Sequence, residues 1–554
     1  MFKIDPSQDI FSLYRAKGNY YVDKTEMIYH YLVESFKSKI MFTRPRRFGK
    51  TMVMTMFADF LDIRKDSSEV FRGLKVMEHE EFVEKNMNKW PVVFLSLKEV
   101  RGMDYKETYE SFRAAIARIF RYHSYLLDST DLDEGDKRKF ASLKEERESE
   151  AGTMDGLNFL CEMLFKHHGK TVFVIVDEYD VPMASAYGTK WYDSVRIMIE
   201  KMLSSVCKTN QYIESVMVSG CLYAIKNSAY TGLNNTQTYN VLSYDYADCF
   251  GFTEKEVEQL LAAAGLSDRL PEVKEWYDGY IFGDAHVYNP WDVMKYVQYA
   301  KGRGRARLPL PFWLDTSETS GDLIRGFIGK TQDALESFEV LLSRQSVIKP
   351  INENVSYHRL HESGENLWTG LLETGYLTKA TEEDSQDAVA LRIPNEEIRE
   401  AFRKEVWSYF KNHVDIVQVR ELVNALWGSN AEGARVALDL ILASTVSCFH
   451  AYHEYTYHLV LDGFFTGQMF RVRSEFETGY GRSDLVVTEK SGKRALVLEL
   501  KHAKTQEKLE AGLAEACDQI KAKKYESSLL YDGYTDIHKY GMAFWNKRCL
   551  VKEL

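Results

Sequence analysis

The short apolar run Lys39–Thr43 (KIMFT) leads through Arg44-Pro45-Arg46-Arg47-Phe48-Gly49-Lys50-Thr51 into TMVMTMFADFL, which has helical spacing. This strand–loop–helix is the feature that most constrains the fold. A glycine, a lysine and a hydroxyl residue in that order, entering a helix, make a phosphate cradle. Gly49 lets the backbone approach an anion, Lys50 reaches the β- and γ-phosphates, and Thr51 offers its hydroxyl to Mg²⁺. The helix N-terminus adds its own preference for anions. Arg44 stands where the first glycine of the usual pattern falls, so the cradle is a variant one.

A phosphate loop needs a metal-holding acid on a neighbouring strand. TVFVIVDEYD supplies it, as an apolar strand ending in Asp177 and Glu178. Asp177 is placed to hold the magnesium shell and Glu178 to polarise the attacking water. Ser219 ends the next strand candidate, SVMVSG, where it either senses the γ-phosphate or caps the strand. Arg46 and Arg47 either stabilise transition-state charge, in cis or in trans, or serve as general phosphate or acid partners. PVVFLSL (Pro91–Leu97) is a further strand. Helical stretches over Asp155–His167 and Trp191–Val206 separate the strands, which predicts a mostly parallel sheet covered on both faces.

At 554 residues the chain exceeds what one core usually organises. We divide it into residues 1–250, a phosphate-loop α/β domain; 251–400, a helical lid and winged-helix-like region; and 401–554, a helical connector with a small α/β domain. The middle region opens with FTEKEVEQLLAAAG, a helix capped by Thr253 with Glu256 three residues on. In it GENLWTGLLETG followed by YLTKA and AVALRIP resembles a small winged helix. Its helix lacks the exposed basic residues of a DNA reader, which favours a structural or lid role. The net charge of −11 disfavours nucleic acid in general, yet residues 449–554 hold 16 Lys+Arg against 15 Asp+Glu, which permits a local site. The seven scattered cysteines form no CxxC pair and indicate a reducing, cytoplasmic setting. We read neither a signal peptide nor a membrane span.

The last segment reads as helix (453–465), strands (470–475, 483–488, 495–501), helix (506–525) and strand (527–531). Within it GYGRSDLVV precedes RALVLELK. Residues two apart in a strand share a face, so Glu499 and Lys501 point together, and Asp484 joins them if the strands pair. Two carboxylates so placed hold one or two Mg²⁺ ions, and the lysine orients or helps deprotonate the water that attacks a phosphodiester. Glu454, upstream on a helix, offers a further carboxylate. The same pattern occurs by chance on solvated hairpins; what argues against chance is that these charges flank an apolar run.

Taken together, the ordered motifs resemble a bacterial family that joins an AAA-ATPase-like domain to a C-terminal PD-(D/E)XK nuclease-superfamily domain. The matching pieces are YYVDKT, TRPRRFGKT, VDEYDVPM, GLNN, YDGY, YNPWDV, ETGYLT, IPNEEI, EYTYH, GYGRSDLVV, LELK and QIKAKKY, spread over nearly the whole chain. The resemblance makes Arg44 a family trait. It implies that Asp484, Glu499 and Lys501 form the nuclease core, with Glu454 as the helix acid and Gln519 and Tyr525 on the following helix. The expected function is an ATP-binding and hydrolysing protein with a metal-dependent nuclease domain. ATP and Mg²⁺ are its cofactors, Mn²⁺ an alternative at the nuclease site, and DNA the favoured partner. The rival reading is a nucleotide-dependent switch whose nuclease fold binds nucleic acid or a protein without cutting.

Overall fold

The computed structural model describes residues 2–34, 39–208, 210–222, 236–301, 309–313, 324, 337–338, 340–353, 355, 359–360, 362–381, 388–411, 415–445, 454–467, 470–478, 481–489, 492–523 and 526–554. The chain divides into two compact units, residues 1–316 with 348–397, and residues 317–347 with 398–554.

The first unit is built on β1 (Lys39–Thr43), β2 (Val92–Ser96), β3 (Val172–Asp177), β4 (Ile213–Gly220) and β5 (Gln237–Tyr239). They form one parallel sheet in the order β2-β3-β4-β1-β5. Alternate residues of these strands feed two separate cores, as period-two geometry requires. Val93, Leu95, Val174, Val176, Val216 and Val218 pack on one face with residues of helices Tyr105–Tyr122, Gly156–His168 and Tyr192–Cys207. Ile40, Phe42, Val92, Phe173, Ile175 and Met217 pack on the other with the loop-following helix α1, Lys50–Leu61. Nearly every strand position is therefore buried, which is why these strands read as continuous apolar runs. The loop and the Asp177 end of β3 lie together at the C-terminal edge of the sheet.

The part of this unit beyond the sheet starts with a helix, Glu254–Ala264, whose capping box joins Thr253 and Glu256 as its sequence indicates. A hairpin follows, β6 (Tyr280–Phe282) with β7 (Ala285–Val287), and then helix α2, Pro290–Lys301. Beyond it, β8 (Val347–Lys349), helix α3 (Gly364–Glu373), β9 (Thr378–Lys379) and β10 (Val389–Arg392) supply a small sheet in the order β8-β10-β9. A helix leading into an antiparallel pair is the arrangement the winged-helix-like pattern anticipates. The GLNN motif (232–235) lies outside the described residues.

The second unit carries β11 (Arg471–Thr478), β12 (Gly481–Thr488), β13 (Arg494–His502), β14 (Asp536–Trp545) and β15 (Arg548–Glu553), in spatial order. Only β13 and β14 run parallel. Helix α4, Glu454–Gly467, places Tyr457 flat on Phe544, with ring centroids 4.4 Å apart. Its buried Asp462 pairs with Arg403 at 2.9 Å. Helix α5, Leu509–Lys523, covers the opposite face so closely that a Cβ on Gly541 would meet Cys517 Sγ at 2.7 Å.

One element departs from expectation. Ser527–Tyr531, expected as the closing strand, belongs to a short helix, Glu526–Tyr531, and the strand parallel to β13 is β14. A short apolar run does not distinguish strand from helix by itself. Here Leu529 is buried while Leu530 and Tyr531 are exposed, so the apolar residues of the segment do not fill two faces. Among the described residues no helix is long and apolar enough to cross a membrane.

Gly279, in YDGY, has φ +105°, and a Cβ there would lie 2.0 Å from the Pro394 carbonyl oxygen. The Gly279→Ala protein should lose about 1–3 kcal/mol of stability or more in urea denaturation, from the positive φ together with the clash against the Pro394 carbonyl. A loss within error of zero would show that this close approach of two backbones is not maintained in solution.

Candidate functional site

The variant loop holds its shape through its side chains. Arg44 is fully buried and turned away from the loop's open side. Its Nη1 donates to the carbonyls of Thr43 (2.9 Å) and Tyr239 (2.8 Å), and its Nη2 donates to that of Tyr246 (3.2 Å). The guanidinium also faces the rings of Phe250 and Phe282. Desolvation pulls it down to about 10, against the opposing field of Glu373 on α3. Pro45 packs on Gly375 so tightly that a Cβ there would meet the proline ring at 2.8 Å. Phe48 sits on Tyr280 and Phe282, with centroids 4.9 and 5.0 Å away. Arg47 lays its guanidinium 3.9 Å from the centre of the Trp291 ring. Four non-glycine positions of the loop are thus anchored on residues outside the strand and helix that flank it.

What remains is a cradle of the usual composition. Gly49, at φ +81°, caps α1 and has open space on its Cβ side. Lys50 Nζ donates to the carbonyls of Arg44 and Pro45, both at 2.9 Å, and lies 3.3 Å from Cys221 Sγ. Thr51 Oγ1 donates to Asp177 Oδ2 at 2.9 Å, and Ser219 Oγ donates to Asp177 Oδ1 at 2.5 Å. Residues from two separate strands, β3 and β4, and from one helix, α1, therefore meet on one carboxylate. Burial raises the Asp177 and Glu178 carboxyls, with Asp177 adding to the effect on Glu178 and Lys50 opposing it. Arg47 and Glu178 both have positive φ, 72° and 54°, a backbone conformation that costs a non-glycine residue energy and clusters at working sites.

These residues border a cavity of about 430 Å³. Arg46, Arg47, Lys50, Thr51, Lys98 and Glu178 line its polar part. Ile4, Tyr20, Val22, Phe252, Leu260 and Met294 line an apolar part. The donor set suits a hydrated Mg²⁺, since the Thr51 hydroxyl and the Asp177 carboxylate are hard oxygen ligands already held together. Reading the sequence missed Lys98, Trp291 and Asp180. Asp180 Oδ2 accepts from the backbone N–H groups of Cys221 (2.9 Å) and Leu222 (3.3 Å), and Tyr179 Oη donates to the Leu222 carbonyl. For Asp180 and Trp291 the signal was present, because VDEYDVPM and YNPWDV contain them beyond the positions whose chemistry a motif explains; Lys98 stands in no such motif.

In the second unit β12 pairs with β13 through Leu485–Leu498, and Asp484 follows one step beyond. Asp484 Oδ2 accepts the Leu500 N–H at 2.6 Å, and its carbonyl accepts from His458 Nε2 at 2.8 Å. Glu499 is fully buried, and its Oε1 lies 3.6 Å from Lys501 Nζ. The structure thus brings Asp484, Glu499 and Lys501 together on one side of the sheet. Gln519 lies on α5, which covers that side; Tyr525 is outside the described residues. Glu454 begins α4, and its side chain is likewise outside them. Among the described residues no group of three or more His, Cys, Asp and Glu side chains is close enough to hold a metal ion. The two strand carboxylates are nevertheless the oxygen donors Mg²⁺ or Mn²⁺ prefers.

Residues 8–230 match the family model described as a predicted AAA-ATPase, and residues 452–554 match that of the PD-(D/E)XK nuclease superfamily. The two matches give the chain the architecture of an AAA-ATPase-like domain followed by a PD-(D/E)XK nuclease-superfamily domain. It is similar to an uncharacterized protein in the vnfD 5′ region of Azotobacter chroococcum mcd 1, at 23% identity over 84% of this chain and 83% of that protein. Among solved structures it matches the Aeropyrum pernix ORC2 protein (ADPNP–ADP complexes) at 10% identity, over 73% of this chain and 96% of that one, with a TM-score of 0.24. At that score the fold assignment rests on the sheet order described above.

Burial pushes Glu373 up to about 8 from its ordinary 4.5, despite Arg44. A carboxyl raised by folding contributes its stability below the unfolded value and loses it as pH climbs through the folded one. The stability of Glu373→Gln relative to the parent should therefore increase from about pH 4.5 to about pH 8 and then level off. Denaturation midpoints across that range test this; a constant difference would mean that Glu373 is already ionised in the fold at low pH.

Proposed function

We propose that the chain hydrolyses ATP at the Lys50 loop and cleaves nucleic acid, DNA in preference, at the Asp484–Glu499–Lys501 site. The observation that carries the nuclease reading is Glu499. It sits in a strand whose neighbours Val497, Leu498 and Leu500 are also fully buried. An acid held there against a lysine is costly unless it has a task. Asp484 and Glu499 would hold Mg²⁺ or Mn²⁺, with Glu454 as a further ligand, and Lys501 would orient the attacking water. The metal supplies charge stabilisation for the phosphodiester.

At the other site Lys50 exchanges the carbonyls of Arg44 and Pro45 for the nucleotide's phosphates. Thr51 and Asp177 would hold Mg²⁺, which neutralises phosphate charge. Glu178, with its raised carboxyl, takes up the proton of the attacking water. Ser219, already bonded to Asp177, reads the terminal phosphate, while Arg46 and Arg47 offset charge that develops in the transition state. All six described cysteines are free, which accords with our placement of the protein in a bacterial cytoplasm.

A switch that binds without cutting draws on one observation, that Asp484 already accepts the Leu500 N–H. A carboxylate has further lone pairs, so this bond leaves room for a metal. The two readings separate in one experiment. Plasmid DNA, and an RNA of similar length, are incubated with the full chain and Mg²⁺ or Mn²⁺, with and without ATP. We expect metal-dependent DNA cleavage that falls about a hundredfold or more in Glu499→Gln and Lys501→Ala, while Lys50→Ala abolishes ATP turnover. Salt-sensitive DNA binding with no cutting under any condition would instead establish the switch.

A further inference from the structure

Trp291 borders the cavity with a cation of the loop on its face. The Arg47 guanidinium is 3.9 Å from the ring centre, and Lys295 Nζ is 4.7 Å from the same centre. The backbone that carries the indole is fixed at the start of α2: the Trp291 main-chain N–H donates to Asn289 Oδ1 at 3.0 Å. The next residue, Asp292, is buried at the start of α2 and hydrogen-bonds Glu397, which also accepts from the Trp313 N–H at 2.6 Å. Burial drives the Asp292 carboxyl upward, and Arg47 is the cation that opposes the shift. Arg47 is itself partly desolvated, with Glu178 and Asp292 as the carboxylates that act most strongly on it.

Arg47 therefore stands between two sets of partners. On one side are an indole face and a buried acid pair; on the other is the cradle where Lys50 and Glu178 lie. A guanidinium binds phosphate oxygens more strongly than a ring face, but leaving the ring has a cost. Only a nucleotide whose terminal phosphate reaches Arg47 recovers that cost. We propose that Trp291 is a positioning residue that sets discrimination between nucleoside triphosphate and diphosphate, by holding Arg47 on its ring until a γ-phosphate displaces it. This rests on the reading that the Lys50 loop binds ATP.

The test is isothermal titration of the full chain with Mg²⁺–ATP and with ADP. The proteins are the parent, Trp291→Phe, Trp291→Leu, Arg47→Ala, the Arg47→Ala/Trp291→Leu double variant and Lys50→Ala. Removing the ring face frees Arg47, so Trp291→Leu should bind ATP about three- to tenfold more tightly, with ADP within about twofold of the parent. Trp291→Phe, which keeps a weaker face, should fall between. In the Arg47→Ala background Trp291→Leu should change nothing, since the partner it releases is gone.

Equal weakening of both nucleotides in the Trp291 variants overturns the proposal, because it marks an indole that binds nucleotide directly or merely supports the cavity. So does a gain that persists without Arg47. If Trp291→Leu melts at a markedly lower temperature than the parent, Trp291→Phe decides the question alone. ATP binding that is lost in Lys50→Ala, together with unchanged selectivity in the Trp291 variants, removes this proposal and leaves the ATP reading intact. Binding that survives Lys50→Ala, or no binding by the parent, removes both.

Discussion

Arg44 sends a fully buried guanidinium into three backbone carbonyls and two aromatic rings at the point where a glycine-rich loop would need only to turn. A buried cation is costly unless it has partners, and here those of the two Nη groups come from β1, from β5 and from the chain that follows it, with the field of Glu373 on α3 beside them. The loop cannot be shaped by β1 and α1 alone. Pro45 on Gly375, Phe48 on Tyr280 and Phe282, and Arg47 on Trp291 extend the same dependence. The phosphate cradle and the region beyond the parallel sheet are in this sense one structure, and a change in either is felt by the other through close-packed side chains.

The second unit solves a related problem. Glu499 and Lys501 occupy consecutive same-face positions of a strand that is otherwise apolar, and α5 closes over that face near enough to demand glycine at 541. Charges in such a place are held by each other and by the strand end of Asp484. They are the part of the sheet on which the proposed nuclease reading rests.

Much of this was legible in the chain. The strands of the parallel sheet announced themselves as unbroken apolar runs because both faces are covered, and Gly49-Lys50-Thr51, Asp177 and Ser219 followed from their places at strand ends. The pairing of Glu499 with Lys501 follows from the period of two. Less legible was Ser527–Tyr531, where an apolar run too short to show a period turned out helical. Arg44, Trp291, Asp180 and Glu373 stand in motifs the chain displays, but what each of them holds was not legible there. Each acts on residues tens to hundreds of positions away, and local pattern carries no trace of such partners.

The sequence by itself determined which residues have the chemistry: a lysine and hydroxyl at a helix start, acids at strand ends, a carboxylate–lysine pair in an apolar strand. Periodicity and residue type suffice for that, since both act over a few residues. Only the tertiary structure decided what those groups face. It turned Arg44 inward as an anchor and left Arg47 at the cavity against Trp291, although the two are three residues apart in one loop. The reason is physical. Burial, the field of distant charges and the satisfaction of a guanidinium's five donors are set by the whole packed chain, and neighbours in sequence do not share them.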